Sequence, residues 1–244
     1  MAGLSTGIGS AIAYFIRRPK IVYLSFSLGL SAGVMIYVSF VELLPGAIDS
    51  VGEAMGVLFF FLGIGFIAVV DLLVPEPENP HNLEGLDEPR GPHEERRLMR
   101  TGVLMALAIG IHNFPEGLAT FAAALSDVRL GVFIAIALAI HNIPEGIAVS
   151  VPIYYATSNR NKAFVYSFLS GLSEPVGALI GYLLLMPFLT PAVLAGTLAL
   201  VAGIMIYISL DELLPMAHRY GHGHLVISGI VAGMLIMAVS LILL

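Results

Sequence analysis

The chain contains no cysteine. That excludes a disulfide framework and any thiolate-built metal site, and leaves His, carboxylate, amide and Met side chains as the available ligand types. Charge is scarce as well. Only 11% of the 244 residues are Asp, Glu, Lys or Arg, against about 25% in an ordinary soluble domain, and nothing among them indicates a nucleic-acid partner. What is abundant is apolar: 58% of residues are hydrophobic and the mean hydropathy is +0.93. The composition is that of an integral membrane protein whose solvent is the lipid bilayer. Its net charge of −6 carries little weight, because the charges are confined to loops and a few intramembrane positions.

A bilayer core takes roughly 20 apolar helical residues. Measured against that length, the chain is expected to be all-α with eight spans, at 2–16, 21–45, 54–74, 101–125, 130–154, 163–186, 191–215 and 225–244. The first is short, with sixteen residues before Arg17-Arg18-Pro19-Lys20, which suits either a truncated start or an initiating Met inside a longer helix. It lacks the basic n-region of a signal peptide and is read as a span.

Orientation follows from the basic residues. Loops after odd-numbered spans carry Arg17, Arg18, Lys20, Arg90, Arg96, Arg97, Arg100, Arg160, Lys162 and Arg219, which is all but Arg129 of the 11. These loops are therefore expected in the cytoplasm and both termini outside. The connection 75–100 is Pro-rich and charged, and reads as a flexible cytoplasmic loop; its His81 and His93 are of a metal-capturing type, but a solvated linker is the reading adopted.

The chain also repeats itself. Ser31 to Pro45 (SAGVMIYVSFVELLP) aligns with Val201 to Pro215 (VAGIMIYISLDELLP), identical at ten of fifteen positions. Five crossings separate the two copies, so they are expected to run in opposite directions, an inverted repeat of spans 1–3 against 6–8 around a central pair. This 3+2+3 arrangement puts Glu42 near the external face and Asp211 and Glu212 near the cytoplasm, as pathway candidates. A simpler reading is a solvated carboxylate at a helix end. Met35 and Met205 are read as core. The pairs Gly3/Gly7, Gly29/Gly33, Gly52/Gly56, Gly177/Gly181 and Gly229/Gly233 are read as close-packing surfaces. His218, His222 and His224, in the last cytoplasmic loop, form either an exit relay or an exposed His-rich turn.

The strongest signal is a hexapeptide written twice at membrane depth. His112-Asn113-Phe114-Pro115-Glu116-Gly117 recurs as His141-Asn142-Ile143-Pro144-Glu145-Gly146. On a helix, His at i and Glu at i+4 share a face, with Asn beside them. Ionisable groups inside a bilayer are costly and usually functional, and this set binds divalent metal. Pro115 and Pro144 cannot donate to the carbonyls of Ile111 and Ile140, so kinks are expected there, while Gly117 and Gly146 permit close helix approach. Span six adds Glu174, before Pro175. Three glutamates, two asparagines and two histidines suffice for two adjacent sites sharing Glu116 and Glu145, suited to Zn²⁺ or Fe²⁺ rather than Cu⁺. Interhelical packing is the competing explanation for a single such His or Asn; it does not account for a duplicated set.

These residues resemble the ZIP (Zrt/Irt-like) metal transporter family, in particular its bacterial ZupT-like branch. The resemblance covers nearly the whole chain: eight spans with external termini, a variable loop between spans three and four, the motif pair and the span-six carboxylate. It implies one transmembrane domain over 1–244 in a prokaryotic inner membrane, often dimeric. Such a protein moves zinc, and also iron, manganese or cobalt, into the cytoplasm by shifting a central four-helix bundle. It further implies a primary site of His112, Glu116, His141 and Glu145, and an adjacent site of Asn113, Asn142 and Glu174 with the two shared glutamates. Metal is then the substrate, and no catalytic cofactor is expected. The chain departs from the pattern in its short first span and His-poor loop. Two other classes are weighed beside this one. An intramembrane metallohydrolase would need His-Glu-x-x-His or a spare general base, both lacking here. A metal-gated channel could use the same ligands, but the inverted repeat and broken helices favour alternating access.

Overall fold

The structure is a computed structural model that describes residues 2–15, 21–73, 92–126, 128–188, 190–220 and 223–243. Within these ranges some side chains lie outside the description, those of His112 and His141 among them. The described residues are helical and contain no strand. The helices are α1 (Ala2–Phe15), α2 (Ile21–Val38), α3 (Leu44–Val51), α4 (Glu53–Leu73), α5 (Pro92–Ser126), α6 (Val128–Thr157), α7 (Arg160–Gly171), α8 (Ser173–Leu185), α9 (Pro191–Ile208), α10 (Leu214–Tyr220) and α11 (Gly223–Ile242).

Helix is the form that satisfies every backbone polar group without water, so apolar runs of this length take it. Their ends carry ordinary caps. Asn159 accepts from Lys162 N at 3.0 Å to start α7, and Thr190 accepts from Val193 N ahead of Pro191 to start α9. Six helical segments among the described residues are long and apolar enough to cross a membrane: Ser25–Val51, Glu53–Leu72, Ile134–Val151, Arg160–Leu184, Pro191–His218 and Gly223–Ile242. The all-α membrane reading is thus borne out. At 14 residues, α1 spans only about 21 Å. By contrast α5, with 35 residues, is about 52 Å long; it begins at Pro92, so the stretch to Arg100 is helix rather than loop. Proline suits a first helical turn. Residues 74–91, most of the expected loop, lie outside the described residues.

The outward faces are apolar. Phe61, Leu62, Phe66, Val69 and Leu72 of α4, and Ile227, Val231, Leu235 and Val239 of α11, are all exposed, a pattern that fits lipid and not water. Inside, small and hydroxyl residues predominate, with Ser5, Ser10, Ser25, Ser31, Ser39, Ser150, Ser167, Ser170 and Ser209 buried. The sequence repeat reappears as geometry. Leu44 N–H bonds to Ser39 O and Leu214 N–H to Ser209 O, so Ser39–Leu43 and Ser209–Leu213 are matching π-helical turns between α2 and α3 and between α9 and α10. Pro45 and Pro215 follow, and the donor each lacks explains why the ladder widens there.

Packing repeats as well. Gly33 of α2 lies against Ile230 of α11, and 170 residues on, Gly203 of α9 lies against Phe60 of α4. In the core bundle, Gly146 of α6 touches the backbone of Thr6 on α1, as Gly117 of α5 touches that of Glu174 on α8. A Cβ at any of these four glycines would collide with a backbone carbonyl. Of the predicted close-packing pairs, Gly3/Gly7, Gly29/Gly33, Gly177/Gly181 and Gly229/Gly233 each press on a neighbouring helix, and Gly52/Gly56 does not do so as a pair: Gly52 has open space around it and φ of 85°. It turns the chain between α3 and α4, in a left-handed conformation that glycine alone adopts without strain.

Candidate metal centre

The two motif helices pack along each other, and both run unbroken through Pro115 and Pro144. Asn113, Glu116, Asn142 and Glu145 are fully buried and Glu174 is 5% exposed, the last in the first turn of α8. Glu174 is there because the apolar segment Arg160–Leu184 is broken: α7 stops at Gly171 and α8 restarts at Ser173. Pro175 sits in that first turn, where its missing N–H costs nothing, and the carboxylate faces the favourable end of a helix dipole.

Side-chain bonds knit these residues together. Asn142 Nδ2 donates to Glu174 Oε2 at 2.8 Å, and Asn113 Nδ2 donates to Ser170 O at 3.3 Å, beside the break. Ser31 Oγ of α2 donates to Glu145 Oε1 at 3.0 Å. Ser167 Oγ donates to Gly146 O at 3.0 Å, fastening α7 to the second motif. Asn113 Oδ1 and Asn142 Oδ1 are buried and accept no hydrogen bond among the described residues. Buried amide oxygens without donors are costly, and a cation would relieve that cost. His112 and His141 belong to α5 and α6 one position before the asparagines; their side chains lie outside the description. Without them, no group of three His, Asp or Glu side chains among the described residues is close enough to hold an ion.

A cavity of about 770 Å³ lies beside this cluster, among α4, α5, α7 and α9. Its walls include Phe66, Ile111, Phe114, Tyr166 and Val201, with no carboxylate among the described residues that line it. It is space beside the cluster.

A model of the ZIP zinc transporter family matches residues 75–241. The chain is 59% identical to a zinc transporter ZupT of Nitratidesulfovibrio vulgaris, over 99% of this chain and 94% of that protein. It is 56% identical to one of Akkermansia muciniphila, over 99% and 94%, and 55% identical to one of Streptococcus mutans, over 100% and 94%. The chain belongs to the ZIP family.

Against this ZIP fold the remaining candidates separate. Glu42 lies half-buried in the first π-helical turn, and Asp211 and Glu212 in the second. Near the second turn, Tyr207 OH donates to Asp71 Oδ2 of α4 at 3.4 Å. His218 is exposed and bonds through Nδ1 to Leu214 O of its own helix at 2.8 Å, and His224 is exposed at the start of α11. His222 lies outside the described residues, so the relay of three is not assembled here. Sequence reasoning misses Ser31 as a site residue. Its signal is a difference between the two repeat copies, which carry Ser31 in one and Val201 in the other.

Proposed function

We propose that this ZIP protein carries zinc, and with it iron, manganese and cobalt, across a prokaryotic inner membrane into the cytoplasm. The observation that carries this reading is the buried set Asn113, Glu116, Asn142, Glu145 and Glu174 on three packed helices within an apolar, lipid-facing fold. Three carboxylates so deep in a bilayer need cations. His112, Glu116, His141 and Glu145 form the primary site. Asn113, Asn142 and Glu174 join the two shared glutamates in an adjacent one. Each asparagine offers the amide oxygen that its own nitrogen bonds leave open.

The chain then forms one domain of eight spans, 3+2+3, with α1 and α5 completing the six apolar segments. The recurrence of packing and π-helical turns supports an inverted repeat, and the basic residues support external termini and a cytoplasmic 75–100 connection that is helical from Pro92 on. Glu42 guards the outer mouth; Asp211, Glu212 and the His218, His222 and His224 turn stand at the inner one. A homodimer is compatible with the exposed apolar faces of α4 and α11. The zinc transporter names of the relatives support zinc as cargo. Purified protein in liposomes tests the whole reading: saturable zinc uptake is expected, whereas single-channel current steps or peptide cleavage would replace the carrier by a channel or a hydrolase.

A further inference from the structure

The internal repeat makes the flanking helices α2 and α9 equivalent, each leaning on one motif helix, α2 on α6 and α9 on α5. Equivalent positions then differ in a way that matters chemically. Ser31 of α2 is fully buried and donates to Glu145 Oε1 at 3.0 Å. The matching residue 170 positions on is Val201, equally buried, in the wall of the cavity beside Phe114 and Pro115. Valine has no hydroxyl to offer Glu116. The position on α9 equivalent to Ser31 thus cannot supply Glu116 with the bond that Ser31 gives Glu145.

We propose that Ser31 is a positioning residue of the transport site, acting through Glu145, so that the site is built asymmetrically from a symmetric frame. A carboxylate ligand does best when a second partner fixes its rotamer and leaves its other lone pairs for the ion, and partners of this kind are worth about tenfold or more in metal affinity. The Ser31 hydroxyl occupies one acceptor direction of Oε1 and orients the plane of the carboxylate. Because Ser31 belongs to the flanking arm and Glu145 to the motif bundle, the same bond ties ion binding to the position of α2 against α6.

This inference rests on the proposed role of Glu145 as a zinc ligand. The test compares Ser31→Thr with Ser31→Val in the full chain. The two replacements have the same shape and differ in the hydroxyl, and valine is the residue that the second repeat copy already accommodates. Zinc uptake into liposomes and equilibrium zinc binding in detergent are measured for both, with Glu145→Gln alongside. Ser31→Thr is expected to keep the parent KM and affinity. Ser31→Val is expected to raise both KM and the zinc dissociation constant about tenfold with the folded yield unchanged. If Val and Thr behave alike, or if Val lowers only the amount of folded protein at unchanged KM, Ser31 is a packing residue and the inference fails. If Glu145→Gln itself binds and transports zinc normally, the ligand assignment of Glu145 has failed instead.

Discussion

Asn142 Nδ2 lies 2.8 Å from Glu174 Oε2 and donates to it, joining the second motif on α6 to the first turn of α8. With its nitrogen committed, the amide keeps Oδ1, buried and without a donor among the described residues, available to the proposed ion. Glu174→Gln keeps the shape of this contact and removes its charge. Zinc content of the purified protein should therefore fall from about two ions towards about one, with uptake reduced but measurable, since the His-bearing ligands survive. Asn142→Asp should tighten binding by adding a charged oxygen and slow release. Metal analysis by mass spectrometry beside vesicle uptake checks both; full stoichiometry in Glu174→Gln would assign that glutamate to packing.

Gly117 and Gly146 sit where a Cβ would overlap the backbone carbonyls of Glu174 and Thr6. A backbone carbonyl in a packed helix has nowhere to go. Gly117→Ala or Gly146→Ala should cost about 1–3 kcal/mol in overpacking and lower the melting temperature of the detergent-solubilised protein. Gly65→Ala, with nothing within 4 Å of its would-be Cβ, should leave it unchanged.

Protons compete with metal for imidazole and carboxylate ligands. With equal pH on both sides of the vesicle, uptake at sub-saturating zinc should fall as pH drops through about 6.5, the ordinary imidazole range. Initial rates on either side of that range measure this, and acid stimulation under those conditions would count against imidazole ligands.

The absence of cysteine makes topology directly readable. A single cysteine at Ser126, the end of α5, should react with an impermeant maleimide added outside intact cells. One at Ser158, in the exposed turn between α6 and α7, should be protected until the membrane is opened. The reverse pattern would put both termini in the cytoplasm.

Much of this architecture is legible in the amino-acid sequence, for physical reasons. Apolar length alone locates α4 and α11, because lipid tolerates few other solutions. The second copy of His-Asn-x-Pro-Glu-Gly marks the bundle, and the SAGVMIYVSFVELLP repeat anticipates the paired packing of α2 with α11 and α9 with α4. What is not legible depends on partners distant in the chain or on backbone register. The turns Ser39–Leu43 and Ser209–Leu213 widen to π geometry because proline removes a donor, and hydropathy does not register that. Gly52 looks like half of a Gly-x-x-x-Gly pair, yet its φ of 85° makes it a turn. The Ser31 bond spans 114 residues, and its one trace in the sequence is the mismatch with Val201.

The central claim is that the duplicated motif is the ion site. Its most direct test is zinc uptake into liposomes by His112→Ala and Glu145→Ala, normalised to folded protein in the membrane. Loss of one direct ligand should lower initial uptake at sub-saturating zinc by about tenfold or more in each, with the protein still folded and inserted. Parent-like uptake kinetics in both variants would contradict the account.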